Sequence, residues 1–135
     1  MAITNNCFLN WSEECLKKDD LCETDYRTII SRSYYSAYHE VLSLADNELG
    51  LGVGSMVGPS HLKLSETLTN FICDDKSRQK VIRRIGARMS ALHSMRIRAD
   101  YYFDLTLNDI EAKSLVKNVN DVFRIIKFEL QESAA

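Results

Sequence analysis

One stretch, KSRQKVIRRIGARMSALHSMRIRADYY from Lys76 to Tyr102, constrains this chain more than any other. It holds no proline and a single glycine, and it reads as one long helix. At about 100° per residue, Val81, Ile82, Ile85, Met89, Leu92 and Ala99 fall on one face. Arg96 falls inside that apolar face, with His93 and Asp100 at its edge, one turn to either side. A guanidinium keeps its proton, so an arginine turned toward a core needs acceptors there. Asp100, four residues on, is the nearest candidate. Two arrangements satisfy this pattern. Arg96, Asp100 and Tyr101 form a structural clamp between helices, or Arg96 lines a cleft where it holds phosphate and Asp100 orients it.

The remaining segments also carry helical periodicity. Residues 6–18 form a first helix, with Phe8, Trp11, Cys15 and Leu16 on one face. Thr24 is the expected cap of a second helix reaching about Asn47, with Asp25 in its first turn. Its core stripe is Tyr26, Ile30, Tyr34, Ala37, Val41 and Leu44, and Tyr35, Tyr38 and Leu42 widen the arc. That width implies contact from two sides and predicts a two-fold homodimer. GLGVGSMVGP, residues 50–59, holds four of the five glycines and the only proline, so it is a loop, flexible or strapped over the bundle. No strand precedes its glycines, which sets them apart from a dinucleotide fingerprint. Ser60 is the expected cap of a short third helix through Phe71. Gly86 weakens the long helix by about 1 kcal/mol relative to alanine, which points to a close helix crossing or, failing that, a kink. Thr106 and Asp109 suggest a capping box before a last helix running to about Glu132. No segment shows period-two alternation. The expectation is a single domain over residues 1–135, an all-α, up-down bundle of about five helices.

A hydrophobic fraction of 45% and a charged fraction of 27% are ordinary for a globular chain. The formal net charge of -2 argues against a protein that coats nucleic acid nonspecifically. Between Lys76 and Arg98, however, stand eight basic residues and no acidic one. Arg84, Arg88 and Arg98 are candidates for phosphate contacts there, and Tyr101 for stacking on a base. A solvated basic helix face is the plain alternative. Cys7, Cys15, Cys22 and Cys73 form no C-x-x-C pair and no zinc-like spacing with the histidines, so neither a metal nor another cofactor is expected. With no signal peptide and no apolar run of membrane-spanning length, the chain reads as cytoplasmic, with reduced thiols.

ISRSYYSAYHEVLSLA (residues 30–45) and LHSMRIRADYYFD (residues 92–104) together resemble the HEPN superfamily. The similarity is to small prokaryotic members with a Y-Y-x-A-x-H helix and an L-R-x-x-A-D-Y helix. The matching residues are Tyr34, Tyr35, Ala37 and His39, then Met95 in place of leucine, Arg96, Ala99, Asp100 and Tyr101. The resemblance implies an antiparallel helical bundle, usually dimeric, in toxin–antitoxin and antiviral defence systems. A cognate antitoxin or nucleotidyltransferase partner follows from it. Active members are metal-independent endoribonucleases with an R-x(4–6)-H motif, usually with Asn, Asp or His after the arginine. Arg88-x4-His93 and Arg32-x6-His39 match that spacing, with Met89 and Ser33 after the arginines. Aligning Arg96 with the family's arginine places Tyr101 where the histidine stands. The resemblance therefore implies either an endoribonuclease or a catalytically silent module that binds a partner protein, a nucleotide or RNA.

Metal-free RNA cleavage requires the 2′-hydroxyl deprotonated, the phosphorane charge stabilised and the 5′-oxygen protonated. Histidine is suited to move those protons and arginine to hold the nonbridging oxygens. His93 and Arg96, one helical turn apart, are the leading catalytic candidates. Arg88, Arg32 and His39 complete the set, Arg32 and His39 lying two turns (about 10 Å) apart on nearly one azimuth. His61, beside a helix start, reads as a cap neighbour or an exposed residue.

Overall fold

The apolar stripe after Lys76 does become one continuous helix. The structure is a computed structural model, and it describes residues 3–130. Five α-helices follow in order: α1 (Cys7–Leu16), α2 (Glu23–Ser43), α3 (Ser60–Thr69), α4 (Lys76–Tyr101) and α5 (Asp109–Arg124). Both α2 and α5 continue into wider π-helical turns, Leu44–Glu48 and Ile125–Leu130. The described residues contain no strand. The expected end of the last helix near Glu132 lies outside them. α2 is the central element, packing on α1, α4 and α5, while α3 lies along α4. This is an all-α helical bundle.

Core positions follow the sequence stripes closely. Ile82, Ile85, Met89, Leu92 and Ala99 of α4 are buried, as are Ile30, Tyr34, Ala37, Val41 and Leu44 in and after α2. α1 is rotated from the expected face. Its buried residues are Leu9, Ser12 and Cys15, while Trp11 is 48% exposed. Small polar groups explain the rotation. The Leu9 amide donates to Ser36 Oγ at 2.9 Å, and Ser12 Oγ faces the Ile29 carbonyl at 3.5 Å. A serine seam brings α1 close to α2 and leaves the indole outside.

Three expected caps sit elsewhere. α2 starts earlier than Thr24, because the Asp25 carboxylate reaches back to accept from the Cys22 amide at 2.9 Å. The box before α5 is Asn108 with Glu111, not Thr106 with Asp109. Asn108 Oδ1 accepts from the Ile110 amide, and Glu111 accepts from the Asn108 amide. Pro59 stands at the N-cap position of α3, and the Ser60 hydroxyl instead accepts from Tyr38 at 3.0 Å.

The loop after α2 is strapped down. Asp46 takes the amides of Val53 and Gly54 at 2.6 and 2.9 Å, and Val53 is buried in the core. The amides of this glycine-rich turn are thus filled by the chain's own carboxylate. Gly86 marks a close crossing. A Cβ built there would lie 2.6 Å from the Thr69 amide nitrogen and 2.9 Å from the Leu68 carbonyl carbon. At the other end of α4, Arg27 donates to the carbonyls of Ala99 (2.9 Å), Tyr102 (3.1 Å) and Leu105 while pairing with Glu23 at 3.0 Å. One arginine closes the orphan carbonyls of α4 and fixes the turn behind it.

Candidate functional site

Arg96 is 8% exposed and lies against α2, as its place in the stripe requires. Its Nη2 donates to the Tyr35 hydroxyl, and its Nε stands 3.0 Å from Asp100 Oδ2. That Nε–H does not point along the ion pair, so Nε is enclosed without an aligned acceptor. The guanidinium carbon lies 5.2 Å from the Tyr35 ring centre, 5.8 Å from Tyr34 and 5.9 Å from Tyr101. Burial works against its charge, but the Tyr35 hydroxyl and the Asp100 carboxylate more than offset it and raise its pKa. Nη1 has no partner among the described residues and, unlike Nε, is not sealed from solvent. Asp100 is less buried than Arg96, accepts from Ser31 at 3.3 Å, and borders a cavity of about 400 Å³ with Arg32 and Phe103.

His93 projects toward α2 and α3, its ring 5.9 Å from Tyr34. Stacked on it, 5.2 Å away and only 3° from parallel, is His61 from the first turn of α3. The Tyr38 ring packs against His61 at 4.2 Å, tilted by 38°, and the Tyr34 hydroxyl meets His61 Nδ1 at 2.7 Å. Burial first, then the charge of Arg96, lowers the pKa of both imidazoles, that of His61 to about 4. Burial raises the Tyr34 phenol, which stays protonated. The cluster therefore presents one permanent cation, two neutral imidazoles and tyrosine hydroxyls.

The structure brings Asp100 and Tyr101 to Arg96, and His93, one turn earlier, packs against the same Tyr34 ring. Other candidate residues lie apart from them. Arg84 and Arg88 face α5: Arg84 grips Glu129 with both nitrogens at 2.7 and 3.2 Å, and Arg88 lies 3.9 Å from Asp121. Along the helix they stand about 18 and 12 Å from Arg96. Arg88 and His93 consequently point to different neighbours and do not share a site. Arg98 is exposed, on the side of α4 away from buried Ala99 and Arg96. Arg32 and His39 are both exposed on α2, with the Tyr35 ring between them, 5.5 Å from the Arg32 guanidinium and 6.2 Å from the His39 ring. Arg32 has no anionic partner among the described residues, where it also lies 5.7 Å from the Phe8 ring.

His61 is the residue that sequence reasoning misses. Nothing within α3 marks it, because its approach to His93 depends on where the strapped loop delivers the helix. The tyrosine pattern of α2 is the available signal: two buried phenols one turn apart need polar partners, and Ser60 and His61 supply them.

Among the described residues no group of three or more His, Cys, Asp or Glu is placed to hold a metal, and no helix is long and apolar enough to cross a membrane. The four cysteines are free thiols. No family model, curated protein or solved structure matches the chain. Fold and site thus define it as an all-α bundle with a cationic site lined by tyrosine and histidine.

Proposed function

We propose that the chain is a HEPN-type protein of a toxin–antitoxin or phage-defence system, cleaving RNA as a homodimer without a metal. The observation that carries this reading is the convergence of His93 and Arg96 on the Tyr34 ring, with a second imidazole stacked behind the first. A neutral His93 is ready to take the 2′-hydroxyl proton at neutral pH. The 2′-oxygen then attacks phosphorus while Arg96 Nη1 holds a nonbridging oxygen. The P–O5′ bond breaks, and the proton carried by His93 passes to the 5′-oxygen. Products are a 2′,3′-cyclic phosphate and a 5′-hydroxyl. Exposed Tyr101 and Phe103 offer rings for bases beside this point. The same aromatic surface supports a homodimer, and a cognate antitoxin or nucleotidyltransferase is the partner expected of such a system.

A second reading, a silent module that binds RNA, a nucleotide or a partner protein, is favoured by one specific observation. Most of the Arg96 guanidinium is already spent on Tyr35 and Asp100. Expression in cells separates the two. An active toxin loses its growth arrest in His93→Ala and in Arg96→Met. Wild-type arrest in both variants, and in the Arg32→Ala/His39→Ala double variant, would end the catalytic reading.

A further inference from the structure

His61 takes part in nothing that the sequence motifs describe, yet its ring is packed against three others of the cluster. His93 stacks on it, Tyr38 packs against it at 4.2 Å, and Tyr34 meets its Nδ1. The Tyr34 hydroxyl is enclosed, in a residue only 1% exposed, and His61 Nδ1 is its one hydrogen-bond partner among the described residues. A buried phenolic proton with a single acceptor must be donated to it. Nδ1 is then the unprotonated nitrogen, and the ring proton sits on Nε2. Nε2 has no partner among the described residues and is not one of the enclosed, unpartnered atoms. Adding a second proton to the ring would take away Tyr34's acceptor and place a charge among Arg96, His93 and His39, with Tyr35 and Tyr38 beside them.

We infer that His61 is a fixed neutral donor, its Nδ1 holding the Tyr34 proton and its Nε2–H offered with Arg96 to a nonbridging phosphoryl oxygen. This role rests on the phosphate-handling reading of the Arg96 site. It divides labour between the two imidazoles. His93, with no hydrogen bond among the described residues to lock its tautomer, exchanges protons, whereas His61 binds.

Long-range ¹H–¹⁵N correlation spectra of the full chain read the tautomer directly, whether or not RNA is cleaved. At pH 7 His61 should carry its proton on Nε2 alone, and Tyr34→Phe should release it into a mixture. A proton on Nδ1, or a tautomer indifferent to Tyr34→Phe, overturns the inference. Two substitutions then separate binding from packing. In His61→Asn the side-chain carbonyl takes the place of Nδ1 and keeps Tyr34 satisfied, while the outward donor is gone. In His61→Gln the amide takes the place of Nε2, while Tyr34 loses its acceptor. The probes are a 2′-deoxy-substituted oligoribonucleotide, which resists cleavage, and inorganic phosphate. His61→Asn should melt near wild type and bind the oligonucleotide about tenfold or more weakly. His61→Gln should melt lower and keep most of the binding. Unchanged binding in His61→Asn makes the residue structural and overturns the inference. A response to both probes marks a general phosphoryl-oxygen site, and a response to the oligonucleotide alone marks a phosphodiester site. A response to neither overturns the inference. Correct tautomer and binding without cleavage by the wild type would sink the ribonuclease reading and leave this one standing.

Discussion

Arg96 shows how a single residue can serve both fold and site. Its side chain is 9% exposed against 28% for Asp100, so the two partners stand to lose unequally. Asp100→Ala leaves an enclosed guanidinium with one hydroxyl and three ring faces, and should cost about 3 kcal/mol. Arg96→Met fills the space with apolar atoms and returns Asp100 to the water at its cavity, so it should cost much less. Thermal melts of the two variants check the order, and equal losses would show that the pair is not asymmetric. The inward arginine and its partner four residues on were legible in the sequence, because both follow from helical azimuth alone. His61 was not, because its position is set by a loop rather than by a period.

Within single elements, the sequence pointed to a close crossing at Gly86, since a glycine inside an otherwise strong helix needs a packing reason. Gly86→Ala gains about 1 kcal/mol of helix propensity. It also drives a methyl into the α3 backbone at 2.6 Å, and overpacking of that kind costs about 1–3 kcal/mol. The net should be a lower melting temperature; a higher one would mean that α3 and α4 separate freely. Arg27 was invisible to pattern reasoning, because its acceptors at Ala99, Tyr102 and Leu105 lie more than seventy residues away. Arg27→Met should speed amide exchange across residues 98–107 by about tenfold or more, with little change in α5. The misplaced caps share one cause. Thr24, Ser60 and Thr106 are all acceptable cap types, but Asp25, Tyr38 and Glu111 decide which neighbour is used.

For the molecule as a whole, all-α architecture and the identity of the core were readable from period and breaker placement, while the rotation of α1 was not. The wide apolar arc of α2 finds part of its cover inside the chain, since Tyr34 and Tyr38 are buried against α3 and its N-terminal turn. Tyr35 and Leu42 of that arc stay partly exposed, as do Trp11 and Tyr101 to Phe103, so surface is left for the proposed homodimer, which sedimentation at tens of micromolar should show. Both imidazoles of the cluster are depressed below the ordinary value of 6.5. Between that value and about 4 His61 binds a proton in the unfolded chain that the folded chain refuses, and His93 adds to this in the same direction, so stability is full above pH 6.5 and falls as pH drops. Melting temperature should decline across that window, and less steeply in His61→Asn. Cleavage of RNA by His93 and Arg96, as proposed above, is tested by incubating the purified chain with cellular RNA in EDTA. The wild type should give fragments ending in 2′,3′-cyclic phosphate, and His93→Ala should leave RNA intact but still bound. Uncut RNA with the wild type, or equal cutting by His93→Ala, would contradict the proposal.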